Sequence, residues 1–396
     1  MENEKKIILH IVFDGILFDG VSNLFDQMDG YKSIYLLNCF GDATSFKYIK
    51  NTSKVIVAKD EEEWGNIVSN PSIDIIYFHG LWAGSTKAIR YIRDNVVVIW
   101  WCYGMEIYER SLYIAPLLPI KLYMPKTFWL WQMINLKIHR FISSNFMYFC
   151  PALYNHIIAI KSPQKTKEIF KMIKRVDYLF TPLETEYEEL KQRNKLIRAK
   201  PFRLFGTYSP QIEPVSLHKN GSILLDHSAV ITNNHMDIFN SLKKHDLSTR
   251  TVYIPICYGD DFVKKRIKKY AYFNGAHTCF IENPLPFNEY QTIIRNCSHA
   301  FFGGIRQTAL GNINICLRNG VKVFFFKNSI LYKHFSGIGF YVYSIEENLT
   351  EEEINTPLTS EEMMHNHRLY CELHGVSHGT YQQQFDKLLS EHSKQK

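Results

Sequence analysis

Short apolar, β-rich runs alternate with helix-period segments along nearly the whole chain, and that alternation leaves parallel sheets crossed by helices as the expected architecture. In the first half the strand pattern falls on Ile7–Phe13, Ser33–Leu37, Lys54–Ala58, Ile73–His79, Val96–Trp100 and Val176–Phe180, with helical patterns over Glu61–Val68 and Ala83–Asp94. The second half repeats the alternation more clearly. Strands are expected at Ser222–Asp226, Thr251–Ile256, His277–Ile281, His299–Gly303 and Lys322–Phe326. Helices are expected at Asn233–Lys244, Asp260–Phe273, Phe287–Asn296 and Gly311–Asn319.

A chain of 396 residues is too long for one ordinary core, so two α/β domains of roughly 150–200 residues are expected. Phe205–Asn220 is rich in Pro, Gly, Ser and Thr and lacks periodicity. The expected division is a first domain over 1–205, a linker over 206–220 and a second domain over 221–360. C-terminal helices over 361–396 are expected to pack back across the first domain.

The apolar fraction of 46% and charged fraction of 21% are those of a globular protein. Aromatic residues make up 14% and the net charge is +7, a balance that suits anionic lipid, nucleotide phosphate or nucleic acid without choosing among them. The cysteines form no CxxC pair and no cluster with zinc-ligand spacing. Cys297 and Cys316 sit in apolar runs, so the thiols read as reduced and structural and the compartment as cytosolic. The opening MENEKKIILHIVF has an apolar run that ends at Asp14, too short for a signal peptide. No run approaches the roughly 18 apolar residues of a spanning helix, so membrane contact is expected to be peripheral.

Residues 111–175 break the regular pattern. Trp, Tyr, Phe, Leu and Ile crowd 111–160, interleaved with Lys121, Lys126, Lys137, His139 and Arg140, and a basic run from Lys161 to Arg175 follows. Such a mixture fits a segment lying on anionic lipid, or an aromatic subdomain packed on the core. Nucleic acid is not expected, because no recognisable nucleic-acid module accompanies the charge.

Chemistry-bearing residues collect at strand ends. In FFGGIRQTALGNINICLRN a strand runs into Gly303-Gly304, a polar loop Arg306-Gln307-Thr308 follows, and Gly311 opens a helix. A helix N-terminus there offers backbone N–H groups and a favourable dipole to a diphosphate, and Arg306 can add a charge-assisted contact. Gln307 and Asn312 can hold a sugar hydroxyl or a base edge; the same glycines also suit a plain β–α turn. In SILLDHSAVITNNH, Asp226-His227-Ser228 ends a strand and Thr232 or Asn233 is the expected helix cap. His227 and His235 are possible phosphate contacts or satisfied surface residues. Tyr258-Gly259 ends another strand, where Tyr258 either stacks on a base or covers the sheet. In the first domain His79 and Glu106 follow successive strands, as general bases or as hydrogen-bonding groups of the turns, with Asp14 a third candidate.

Absences narrow the class. There is no GxGxxG after the first strand, no P-loop, no GxSxG elbow and no DxD of metal-dependent single-domain transferases.

Together these segments resemble glycosyltransferase family 56, the enterobacterial TDP-N-acetylfucosamine:lipid II N-acetylfucosaminyltransferases, most clearly from Leu224 to Ile354. The family's GNSxxxSNxH turn is similar to DHSAVITNNH here, matching at Ser228, Asn233 or Asn234, and His235. Its P-x-G-Y strand end looks like Pro255-Ile256-Cys257-Tyr258, its RQQGIGT loop like Arg306–Asn312, and its F-x-x-Y helix like Phe287–Tyr290. Its FFHG and WGADLYE resemble Phe78-His79-Gly80 and Tyr103–Glu109. Asp226, His227, Thr308 and Asn312 depart from the family pattern, and a carboxylate at 226 would repel a diphosphate unless the turn aims it elsewhere.

The resemblance implies an α/β GT-B fold, two Rossmann-like domains facing across a cleft, and a metal-independent hexosyltransferase without a resident cofactor. It implies a nucleotide-sugar donor, TDP-N-acetylfucosamine first, and a polyprenyl-diphosphate-linked saccharide acceptor at the cytoplasmic face of a bacterial inner membrane. Ser228, Asn233, His235, Tyr258, Gly259, Arg306, Gln307, Gly311 and Asn312 would bind donor, and Glu106 or His79 would activate the acceptor hydroxyl. The rival readings are a sugar-nucleotide 2-epimerase of the same architecture and a catalytically silent scaffold of polysaccharide assembly.

Overall fold

The computed structural model describes residues 5–15, 17–41, 46–82, 84–109, 112–134, 150–203, 220–273, 275–374 and 378–393. These residues group into two compact units, the first drawn from 1–119, 146–208 and 376–396, the second from 120–145 and 209–375. The expected linker, apart from Asn220, and the segment holding Lys137, His139 and Arg140 lie outside the described residues.

The first unit carries β1 (Lys6–Val12), β2 (Tyr31–Phe40), β3 (Val55–Ala58), β4 (Ile73–His79), β5 (Val97–Trp101), β6 (Tyr178–Phe180) and β7 (Lys200–Pro201), in the order β3-β2-β1-β4-β5-β6-β7. The second carries β8 (Ile223–Leu225), β9 (Thr251–Pro255), β10 (His277–Ile281), β11 (His299–Phe302), β12 (Lys322–Phe325) and β13 (Val342–Ser344), in the order β10-β9-β8-β11-β12-β13. Neighbouring strands pair in parallel throughout, for example β8 with β11 through Leu224 and Ala300. Both orders reverse direction beside the first strand of the unit, the arrangement of a doubly wound Rossmann sheet. Strands covered on both faces read as unbroken apolar runs, which is why VVIWW of β5 and HAFF of β11 are buried at every position. The second core is dense with rings: Phe301 and Phe324 stack with centroids 4.8 Å apart.

The amino edge of the second sheet is locked by one buried cation. Arg250 donates to Ser298 Oγ at 2.6 Å and to His299 Nδ1 at 2.8 Å, and also to the carbonyls of Gly221 and Ile354. Bonds to a charged group contribute roughly 1.5–3 kcal/mol each, so this edge is fixed and the opposite, carboxyl edge is left to the loops.

Three local expectations need correction. Ala83–Asp94 is not an α-helix but a 3-10 segment over Ser85–Arg90. The Ser85 hydroxyl bonds the Trp82 carbonyl at 2.8 Å and accepts from its N–H at 2.9 Å, a side-chain competition that tightens the turn. The helix expected from Asn233 starts at His235, after a 3-10 turn Ile231–Asn233 and a left-handed Asn234 at φ 51°. Of the helices expected over 361–396 to pack on the first domain, Ser360–His374 belongs to the second unit and His378–Ser393 to the first.

Candidate functional site

In the second unit the loops after β8, β9, β10 and β11 meet at the carboxyl edge of the sheet, around its topological switch point. They enclose a cavity of about 220 Å³. Its walls are Pro255 at the end of β9 with Cys257 and Tyr258 after it, Ile281 at the end of β10 with Asn283, Pro284 and Leu285 after it, His227 after β8, and Tyr290 and Asn312 from two helices. The lining is apolar and aromatic with a few polar groups, the usual composition of a small-molecule site.

The backbone comes together here only because two positions lack a side chain. A Cβ on Gly303 would lie 2.1 Å from the Asn233 carbonyl oxygen, and one on Gly259, at φ 121°, would lie 2.4 Å from the Ala229 carbonyl. The β8 and β11 loops are then stitched by Asp226, itself left-handed at φ 57° and fully buried. Its Oδ2 accepts the Gly303 N–H at 2.9 Å, while Oδ1 accepts the His227 N–H at 2.8 Å and His227 Nδ1 at 2.6 Å. The carboxylate expected to repel a diphosphate is thus turned inward and used up by the turn.

Of the residues expected to bind donor, Tyr258 and Asn312 line the cavity, Asn312 donating to the Tyr290 hydroxyl at 2.7 Å. Partial burial pushes the Tyr258 hydroxyl up to about 12, with Ser228 pulling the other way. Ser228 sits beside His227, its Oγ 3.3 Å from Nε2, and Asn233 Nδ2 donates to the Ser228 carbonyl and hydroxyl, each at 3.0 Å. His235 lies deeper: burial holds its imidazole down at about 4, and neither ring nitrogen has a hydrogen-bond partner among the described residues. Arg306 is nearly buried and donates to the Gln307 carbonyl at 2.9 Å, and Gln307 Oε1 is buried without a partner among the described residues. Gly311 lies in the first turn of the helix Leu310–Arg318, exposed. That helix follows a left-handed Ala309, and among the described residues no side chain of its N-cap position takes up its first N–H groups.

Sequence reasoning missed the β10 wall. Asn283-Pro284 directly after a strand was the signal, since turn residues at the carboxyl end of a parallel strand lie where ligands bind. Asn234, an alternative match to the turn motif, has a structural part that spacing did not reveal. Its amide donates to the carbonyls of Gly303 at 2.7 Å and Leu122 at 3.0 Å, and accepts the Met124 N–H at 2.9 Å. One turn on, the Asp237 carboxylate accepts the N–H groups of Lys126 and Thr127, both at 2.8 Å, at the start of the helix Pro125–Ile134. The aromatic segment's first helix is therefore fastened to the second unit, under the candidate cavity's own turn.

In the first unit His79 ends β4 and Glu106 lies in the short helix Met105–Tyr108 that follows β5, and both are buried inside the domain. Glu106 is 1% exposed; its Oε1 accepts from the N–H groups of Leu81 and Tyr103, both at 3.2 Å, and from Trp100 Nε1 at 3.4 Å. Burial raises its carboxyl above the ordinary value, against those bonds. His79 Nε2 is 3.0 Å from His10 Nδ1, and burial drives the His79 imidazole down to about 3. Asp14 is a loop anchor, accepting the N–H groups of Lys47, Tyr48 and Ile49 at 2.7–3.0 Å.

Two parallel Rossmann-like sheets with interleaved helices, in one chain, define the GT-B fold class. A glycosyltransferase from Rickettsia africae covers 99% of this chain and 100% of its own, at TM-score 0.57 and 13% identity. The UDP-forming α,α-trehalose-phosphate synthase of Burkholderia vietnamiensis covers 98% and 100%, at 0.56 and 8%. The N-terminal domain of Candida albicans trehalose-6-phosphate phosphatase covers 98% and 97%, at 0.59 and 9%. Likeness at such identities speaks for the fold. No family model matches the sequence, and no curated protein does.

Proposed function

We propose that the protein is a glycosyltransferase whose nucleotide-sugar donor binds in the second unit. The observation that carries this reading is the cavity at the switch point, walled by Tyr258, Tyr290 and Asn312 beside an uncapped helix start. Tyr258 would cover the base, while Asn312, Gln307, Arg306 and the first turn at Gly311 would face phosphate and sugar oxygens. Ser228, Asn233, His235 and Gly259 would shape the turn beneath. The acceptor hydroxyl attacks the anomeric carbon as the bond to the diphosphate breaks, its proton passing to the departing diphosphate or to water, and fixed donors stabilise the charge that develops on the leaving group. The names of two fold neighbours, a glycosyltransferase and a UDP-forming synthase, agree with this class. The first donor to try is TDP-N-acetylfucosamine and the first acceptor a polyprenyl-diphosphate-linked saccharide. For Glu106 and His79 we propose positioning roles in the first unit.

A thermal-shift series with TDP, UDP, GDP and CMP tests the donor site. A nucleotide that binds only the native state adds about 2.7 kcal/mol at a hundredfold excess over its Kd. Selective stabilisation by TDP supports the N-acetylfucosamine donor, and preference for UDP or GDP replaces it. A flat response to all four removes the transferase reading in favour of a silent scaffold.

The acceptor side of the proposal rests on a face of the first unit. The helix Pro151–Lys161 exposes Leu153, Ile157 and Ile160, at 52%, 36% and 70%. The next helix, Pro163–Arg175, places Lys167, Lys171 and Lys174 around a groove floored by Ala159, Pro163 and Phe170. No described helix is long and apolar enough to cross a membrane. This face suits shallow insertion among anionic headgroups, each lysine contributing about 1 kcal/mol. Replacing Lys167, Lys171 and Lys174 by Ala should weaken binding to phosphatidylglycerol vesicles about a hundredfold. Equal binding of both proteins, or equal binding to neutral vesicles, would reject the docking face.

A further inference from the structure

Among the described residues that line the cavity, His227 is the one able to carry a positive charge. The others are apolar, amide, thiol or phenol side chains. A diphosphate entering this cavity must either meet that imidazole as a cation or stay uncompensated along the wall it forms.

The surrounding bonds decide which state the ring needs. Asp226 is fully buried, and its Oδ1 lies 2.6 Å from His227 Nδ1. A carboxylate only accepts, so Nδ1 carries the hydrogen. The Asn233 amide, 3.4 Å from the same nitrogen, is already donating at shorter range to Ser228. In the neutral ring Nε2 is therefore an acceptor, within reach of the Ser228 hydroxyl at 3.3 Å and the Thr308 hydroxyl at 3.5 Å, and it draws those hydroxyl protons away from a ligand. A nitrogen lone pair repels a phosphate oxygen. A proton on Nε2 makes the ring a charged donor and leaves both hydroxyls able to donate to the phosphate, with the buried Asp226 as the counter-ion of the imidazolium.

We propose that His227 is a proton-dependent anchor for the donor's diphosphate, so that nucleoside diphosphate binding takes up a proton at Nε2. This deepens the donor-site reading and rests on it. Along the cavity lining the task falls to His227. His235, on the helix behind, is held neutral by burial, Tyr258 is edge-on at 5.9 Å, and Cys257 and Tyr290 are uncharged walls. Arg306, on the loop that bears Thr308, lies outside the cavity lining and gives one N–H to the Gln307 carbonyl, so it would reach the diphosphate from the loop side as a second cation.

The test uses the full chain with TDP and UDP as probes and thymidine and uridine as phosphate-free controls, titrated calorimetrically from pH 6 to 8.5. In the wild type, diphosphate affinity should fall roughly tenfold more across that range than in His227→Gln, and the nucleosides should show no such difference. The variant should bind diphosphate at the weak, high-pH level throughout. Titrations in buffers of different ionisation enthalpy should show more proton uptake with diphosphate in the wild type than in His227→Gln, since the terminal phosphate of the probe also titrates at about pH 6 and contributes equally to both proteins. Diphosphate binding with the same pH slope in both proteins, or with equal proton uptake in both, overturns the anchor and leaves the donor site standing. Absence of any nucleotide binding by the folded wild type overturns the donor site and the anchor with it.

Discussion

Glu106→Ala should lower sugar transfer at least about a hundredfold, while Glu106→Gln keeps it within about tenfold of the wild type. The carboxylate sits inside the first unit, and one oxygen collects the N–H groups of Leu81 and Tyr103 and the indole of Trp100. It ties the turn after β4 to the turn after β5. Alanine leaves two buried backbone donors without an acceptor, at about 1–3 kcal/mol each, which corresponds to a fall in Tm of several degrees. Glutamine retains a carbonyl oxygen at the same place and cannot take a proton. If the two variants are equally inactive while Gln is folded, Glu106 is the proton acceptor and the positioning role is wrong. Stability against pH gives a second readout. Burial raises the folded carboxyl above its ordinary 4.5, so its favourable contribution is complete below that value and is lost as pH rises through the folded one. Glu106→Gln should lack that loss.

Asn234→Ala should destabilise the second unit by about 3–5 kcal/mol. Two independent terms add. At φ 51° an alanine pays a left-handed penalty of roughly 1–2 kcal/mol that asparagine largely escapes. Removal of the amide also leaves the Met124 N–H and the carbonyls of Leu122 and Gly303 without this partner. Asn234→Gly separates the terms, since glycine accepts the dihedral and should recover only the first. Chemical denaturation measures the sum. Hydrogen exchange at Met124, Lys126 and Thr127 should quicken in both variants, because residues 120–134 are held by Asn234 and Asp237. A change below about 1 kcal/mol for alanine would mean that the observed bonds contribute nothing net.

The architecture was legible because it rests on local periodicity. A strand buried on both faces must be apolar throughout, so runs such as Ile73–His79 and His299–Phe302 announce themselves. Gly303 and Tyr258 were legible for a related reason: they follow such runs, and strand carboxyl ends are where these sheets bind ligands. Side-chain direction was not legible. Spacing put Glu106 and His79 at strand ends, yet burial among Trp100, Tyr103 and His10 decides what each can reach. Asp226 looked like an obstacle in one dimension and is a buried anchor in three. Nothing in the run DHS tells that Gly303, far along the chain, will claim one carboxylate oxygen and leave the other to orient His227.

Local pattern was enough to specify two doubly wound sheets and the chain segments that supply their loops, because period and turn chemistry act over a few residues. Tertiary structure alone decided which of those residues face a ligand and which face one another. Hydrogen bonds between loops distant in sequence, such as Asp226 with Gly303 and Asn234 with Leu122, consume polar groups that local pattern presents as equally available.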